Sequence, residues 1–478
     1  MSSLKSFDIK IKREIRDPIY NYIHVTESED RVIDSPIFQR LDRLSQTSTS
    51  SFVYPSLRYS RKTHSLGVMH LVHRAFLHLL FLQSDDIRSE ISPLLFGELV
   101  VLKPEKESRL DNLSQELSSD WWNSNYLDVK IQSLRYAGLL HDIGHAPFCH
   151  TFEDVSRKLN IDFDHEVMSR KIIKEKFDNL KLEFTPDHIN DILDPKGEAP
   201  PFLRELISSP YDCDKLDYLK RDAYHSGTLE YGDIDSERIL DGFRVKGDKL
   251  CISLSAIDTL MNSFRAIQFM YTAVYHHKTS RLFDFMIADA LEKIPEFIEE
   301  IVSDLDEFLK YDDCSFICEV RNRKSKGDGY EEAWGIFEKI KKREKVYKVI
   351  VEYPLSFGIG TDGRDEINAL EKHLEGIAGE DLKIRLDYPD IRPVRIDLDE
   401  IYNWLSGKRI YDSEEGVLKS LKDISETYFH QLKRHTILFR IFCHRDQLGT
   451  SKGKRKVDEI KREAKTKLKE IEDKHLLK

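Results

Sequence analysis

Of the 18 histidines in this 478-residue chain, eight stand between positions 64 and 165, and three of those fall in the ten residues HDIGHAPFCH at 141–150. Neutral imidazoles beside carboxylates form a hard-to-borderline donor set, suited to Fe, Mn, Mg, Ni or Zn rather than to copper or a thiolate site. The apolar run Leu134, Tyr136, Ala137, Leu139 and Leu140 reads as a helix that ends at His141-Asp142, with Gly144 permitting a tight break. At such an end two adjacent side chains can turn toward one ion. Further ligands are available from two places. RKTHSLGV sets His64 at the start of an apolar helix with Arg61 one turn earlier, and SPYDCDKLDYLKRDAYHSG reads as a helix carrying Asp212, Asp214, Asp217 and Asp222. Tyr211, Leu216, Tyr218, Leu219 and Ala223 lie between those carboxylates, so part of that helix must be inside.

The elements that must position these residues are mostly helical. Phe38, Leu41 and Leu44 recur at helix spacing from Pro36 onward, Leu66 to Leu80 continue the pattern, and one long apolar helix is read from Leu260 to Ile287. Residues 84–130 are read as an insertion with a short helix, and the proline-rich stretch 191–202 as a connection. After about residue 340, KVYKVIVEY, LKIRLDY and VRIDL alternate at period two and predict a small antiparallel sheet. Residues 414–445 are read as helix again. The end, 451–478, has eleven Lys+Arg against six Asp+Glu and a narrow stripe of Val457, Ile460, Ala464, Leu468 and Ile471, which predicts a charged helix whose stripe needs a partner surface, on its own core or on another subunit. The expected class is mainly α: a helical core over 1–335, a smaller α+β region over 336–450 and a helical tail over 451–478.

Composition narrows the function. With 74 Lys+Arg against 85 Asp+Glu the formal charge is −11, which argues against charge-driven nucleic-acid binding, and no run of apolar residues is long enough to span a bilayer. Six scattered cysteines form no CxxC pair, and the start lacks the apolar stretch of a signal peptide, so a reducing, cytoplasmic compartment is expected.

His64, His141-Asp142 and Asp214 follow the H…HD…D order of the HD superfamily of metal-dependent phosphohydrolases. DSPIFQRLDRLSQT, RKTHSLGV, HDIGHAPFCHTFE, DHE and DKLDYLKRDAYHSG more closely resemble the deoxynucleoside-triphosphate triphosphohydrolases, over about residues 13–290. The resemblance implies an HD-type helical fold and cleavage of dNTPs to deoxynucleoside and inorganic triphosphate by metal-assisted attack of water at the α-phosphorus. It implies His64, His141, Asp142 and Asp214 as ligands of one divalent metal, with a second Mg ion able to arrive with the substrate. It assigns His150 and His165 to the hydrolytic step and His145 to the phosphate region. Arg61, Lys215, Tyr218 and Asp222 correspond to positions that hold phosphates and sugar, and Gln46 and Tyr275 to positions near sugar and base. Asp217, three residues after Asp214, is read as orienting a ligand histidine.

The sequence departs from the family in places. Ile267 stands where an arginine commonly contacts the phosphates. Asp34, Gln39 and Arg238 match a nucleotide-activator site, whereas Asp42 and Arg16 do not, so activity without GTP is expected. His70, His73, His78, His276 and His277 are read as packing or capping residues, and Cys149 as no nucleophile. The expected partners are a dNTP and further copies of the chain, as a dimer or tetramer. Two rivals stand beside this reading: the same core acting on another nucleotide or phosphoester, and a non-catalytic protein that binds nucleotide or single-stranded nucleic acid through the basic tail.

Overall fold

The computed structural model describes residues 11–81, 125–177, 186–358, 364–388, 403–428 and 434–476. At its centre lies α1 (Arg61–Phe81), whose Val68, Met69, Leu71, Val72, Ala75 and Phe76 are all buried in the core. It packs on α2 (Asn125–Leu140). The two backbones touch at Gly138, where a Cβ would stand 3.2 Å from the Met69 Cα. The expected insertion at 84–130 falls largely outside the described residues, although α2 already begins within it.

A hairpin of β1 (Ile11–Asp17) and β2 (Asn21–Thr26) covers one end of this pair. The hairpin and the short helix after it, Glu27–Ile33, are tied inward by two buried ion pairs: Glu29 accepts from Arg135 of α2 at 2.6 and 2.8 Å, and Asp17 accepts from Arg221 at 2.8 Å. Around α1 and α2 lie α3 (His150–Lys158), α4 (His165–Lys176) and α5 (Cys213–Ser226). The small sheet β3 (Phe243–Lys246), β4 (Lys249–Ser253), β7 (Ile410–Asp412), β8 (Val417–Lys419) joins the same core through Ile252, Ile410 and Tyr411.

The apolar run 260–287 is not one helix. It divides into α6 (Ile257–Met270), a π-helical turn over Tyr271–Tyr275, and α7 (Lys278–Leu291), capped by His277, whose Nδ1 accepts from the Thr279 N–H. Apolar periodicity runs through such a break because both halves bury the same face. The FQRL helix is likewise short: Pro36–Gln39 is α-helical, Arg40–Arg43 is 3-10, and Phe38, Arg40 and Leu41 are buried within the chain.

The second core is built on a sheet ordered β5 (Tyr347–Gly358), β9 (Arg434–His444), β6 (Ile384–Asp387). The helical reading of 414–445 is overturned here, since β9 is the central strand. Its Phe439, Arg440, Ile441, Phe442 and Cys443 are all buried, with both faces covered, so no polar alternation marks it. VRIDL lies outside the described residues. Helices α8 (Arg364–Ala378) and α9 (Ser451–Leu476) cover one face, and the stripe Val457, Ile460, Ala464, Leu468, Ile471 is buried against Leu355, Leu374 and Phe439. The tail therefore spends its stripe on its own chain rather than on another subunit. Leu468 is fully buried, so Leu468→Ala is expected to cost about 2–5 kcal/mol, read as a lower urea midpoint that does not vary with protein concentration.

Among the described residues no helix is long and apolar enough to cross a membrane.

Candidate metal and phosphohydrolase site

The site is assembled where α2 stops. His141–Gly144 form a turn directly after Leu140, and Gly144 presses so closely on α4 that a Cβ would lie 2.3 Å from the His165 carbonyl and the Ser169 nitrogen. Ser169 secures the turn by accepting from the Gly144 N–H at 2.8 Å and donating to the His141 carbonyl at 2.6 Å. Buried Arg40 holds it from the other side, donating to the His145 and Tyr311 carbonyls.

His64, His141, Asp142 and Asp214 converge in this turn from three segments of the chain. His64 Nε2 is 2.8 Å from Asp214 Oδ1 and 3.8 Å from Asp142 Oδ2, and His141 Nε2 is 3.4 Å from Asp142 Oδ1 and 3.8 Å from Asp214 Oδ1. The far side of each ring decides what these atoms can be. His64 Nδ1 lies 2.7 Å from Asp217 Oδ2 and His141 Nδ1 lies 2.8 Å from the Gly138 carbonyl, so both Nδ1 atoms must carry hydrogen. In the neutral rings both Nε2 lone pairs then face carboxylate oxygens, an all-acceptor cluster that calls for a cation. These residues fit a divalent metal. Without one, a proton takes its place: burial disfavours a charged His64, but Asp214 and Asp217 outweigh that and raise it to about 10.

Asp217 acts as expected from its offset, held by Arg221 at 2.9 and 3.0 Å, with Asp17 behind. Asp212, by contrast, caps α5 by accepting from the Lys215 N–H, and it also accepts from Lys215 Nζ at 2.9 Å. Arg61 donates to Asp142 at 2.5 Å and to Cys149 Sγ at 3.3 Å. Burial pushes the Cys149 thiol up to about 11, which suits a packing role rather than a nucleophile.

A second cluster adjoins the first. His165 Nδ1 and His150 Nδ1 lie 3.1 and 3.5 Å from Glu153 Oε2, and the His145 ring stacks on that of His165 at 4.1 Å. Despite burial, the two histidines hold the Glu153 carboxyl well below its usual range. Glu153 is a site residue that the sequence reading does not include. Its signal was its place in HTFE, one helical turn after His150.

Across the same cavity, Asp222 accepts from Tyr59 at 2.7 Å and Tyr275 at 2.5 Å. Burial raises it to about 6 against the opposing effect of those two hydroxyls. Tyr218 stands 6.3 Å from the Tyr275 ring, and the buried Gln46 Oε1 has no hydrogen-bond partner among the described residues. All thirteen expected site residues except His64 line one cavity of about 610 Å³, and His64 sits just behind it. Ile267 is in the apolar core.

The chain matches the HD domain family over residues 109–207 and the HD-associated region over 234–356. It carries an HD domain. Such domains bind divalent metals and are generally metal-dependent hydrolases. Sequence relatives of this HD-domain chain include the deoxynucleoside triphosphate triphosphohydrolase SAMHD1 homolog of Dictyostelium discoideum, 29% identical over 362 residues, covering 73% of this chain and 62% of that protein. Another is an uncharacterized protein of Methanocaldococcus jannaschii, 31% identical over 315 residues, covering 64% of this chain and 54% of that one. The chain thus spans 54–62% of the length of these relatives. A hypothetical protein from Aquifex aeolicus has the same fold, with TM-score 0.63 and 26% identity over 95% of this chain and all of that one. A phosphohydrolase from Bacteroides thetaiotaomicron, at 21% identity and TM-score 0.62 over 91% of this chain and 99% of that one, likewise shares the fold.

The cavity wall is tied to the second core. Arg440 of β9 donates to the His276 carbonyl at 2.7 Å and to Asp387 at 3.2 Å, and Arg281 donates to Asp387 at 2.8 Å. Burial, reinforced by the Arg281 and Arg440 guanidinium groups and opposed by Asp387, pushes His276 down to about 4. The unfolded chain therefore binds this proton first as pH falls. The stability owed to neutral His276 is complete above pH 6.5 and is lost toward pH 4, about 3 kcal/mol in all. Unfolding free energies from urea titrations across that window should fall less for His276→Gln than for the parent protein, by about 3 kcal/mol.

Proposed function

We propose that this HD-domain phosphohydrolase cleaves dNTPs to deoxynucleoside and inorganic triphosphate. The observation that carries the reading is one cavity in which an acceptor cluster for a divalent metal, the Arg61 and Lys215 cations, and the hydrogen-bonded Asp222–Tyr275 pair stand side by side. A divalent metal bound by His64, His141, Asp142 and Asp214 would supply Lewis acidity for attack of water at phosphorus. Arg61, oriented by Asp142 and Cys149, and Lys215 neutralise phosphate charge. Glu153 orients His150 and His165 so that a ring nitrogen can deliver a proton to the departing 5′ oxygen, and His145 buttresses His165 by stacking. Asp222 and Tyr275 meet the sugar hydroxyl, Tyr218 crowds the face where a 2′-hydroxyl would project, and Gln46 Oε1 accepts from sugar or base. The chain works as a dimer or tetramer in this reading, with exposed Tyr224, Leu229 and Phe269 as available apolar surface; a monomer by light scattering at micromolar concentration would remove that part.

The burial of Ile267 favours keeping a second reading, the same metal chemistry on another nucleotide or phosphoester, because that position supplies no cation for a triphosphate. One experiment separates the two. The pure protein is incubated with each dNTP, NTP, nucleoside monophosphate and cyclic dinucleotide under several divalent metals, with and without GTP, and the products are separated by chromatography. Inorganic triphosphate released without GTP is the expected result; orthophosphate or a monophosphate product instead would replace the dNTP reading.

A further inference from the structure

The cavity continues past the metal cluster to a wall that no assigned residue explains. Arg170 lies five residues after His165 on α4, and His165, Ser169 and Arg170 all line the cavity. At 1.5 Å per residue, Arg170 is displaced about 7.5 Å along the helix from His165. A five-residue offset also turns Arg170 about 140° around the helix from His165, so Arg170 meets the cavity at a place separate from the His150–His165 cluster. Arg204 lines the same wall. It donates through Nη1 to the Pro195 carbonyl at 2.9 Å, while Arg170 Nε stands 3.9 Å from Asp194 Oδ2. These two contacts anchor the arginines to one connecting segment, 194–195, and use neither the Nη pair of Arg170 nor Nε and Nη2 of Arg204. Arg157 on the same cavity is spent differently, bound to Asp154 at 3.0 Å and facing Glu153 at 3.6 Å.

We propose that Arg170 and Arg204 form a distal-phosphate subsite that binds the terminal phosphates of a polyphosphate chain and supplies the positive charge that Ile267 does not. Planar guanidinium groups suit the task, since each offers a fork of N–H donors to phosphate oxygens. The subsite deepens the dNTP reading and rests on it for its substrate, but its ligand chemistry, a linear polyphosphate, can be tested alone.

The test is calorimetric titration of the full chain with inorganic triphosphate, pyrophosphate and orthophosphate, with and without Mg²⁺. The variants are Arg170→Gln, Arg204→Gln, the double variant, and Lys176→Gln. Lys176 is on the same helix and pairs with Asp306, so its loss changes net charge as much as either single arginine variant without touching the cavity. The double variant should bind triphosphate at least tenfold more weakly with orthophosphate binding little changed, Arg170→Lys should recover part of the loss, and Lys176→Gln should stay within about twofold of the parent. Matched thermal midpoints show that the variants fold. Unchanged triphosphate binding in the double variant, or an equal loss in Lys176→Gln, would overturn the subsite. If the parent cleaves no dNTP but the double variant still loses triphosphate, the subsite stands and the substrate reading falls.

Discussion

His141→Ala and Asp214→Ala should each leave the purified protein nearly free of bound metal and cut hydrolytic activity by well over a hundredfold. The expectation follows from what faces what: with both Nδ1 hydrogens committed to Asp217 and Gly138, the Nε2 atoms of His64 and His141 and an oxygen of Asp214 are acceptors around one point, with the Asp142 carboxylate beside them. Deleting one donor removes a coordinate bond outright. Deleting Asp217, which only orients His64, should weaken metal affinity by the smaller factor of about 10–100 usual for such outer partners. Asp217→Ala should also destabilise the fold, because Arg221 is left buried with fewer partners. Elemental analysis of the dialysed proteins reads the metal directly. Wild-type stoichiometry in His141→Ala would show that the ion sits elsewhere.

The second large effect should separate metal binding from turnover. His150→Ala and His165→Ala are expected to retain metal yet lose about a hundredfold or more in kcat, the usual contribution of positioned acid-base groups. Glu153→Gln should fall in the same direction by a smaller factor, since an amide still accepts from His165 at the observed 3.1 Å but no longer favours its protonated form. The pattern of the three matters more than any one value. If Glu153→Gln alone were inactive while both histidine variants kept full activity, the carboxylate itself would be the proton carrier and the histidines would be packing residues.

Whatever depended on a short stretch of chain could be read directly from the residues. HDIGHAPFCH announces a helix end, a tight break and adjacent metal-type donors, because those properties belong to neighbouring residues and to Gly144. The placement of His64 at the start of an apolar helix, the internal face of α5 and the capping role of His277 are local in the same sense. Asp212 could have been read as the N-cap of α5, which removes it from the ligand set by a rule that needs only four residues of sequence. The meeting of Glu153 with His165 across twelve residues depended on how α3 and α4 cross. Helix periodicity says which residues share a face and is silent on what that face meets. The same limit explains β9 and α9. A strand covered on both sides loses the alternation that would reveal it, and an amphipathic stripe states that a partner surface must exist while leaving open which one. Packing of α9 on the β5–β9–β6 sheet settled that question, because burying the stripe within the chain requires no association and its loss of freedom is shared with the folding of the second core.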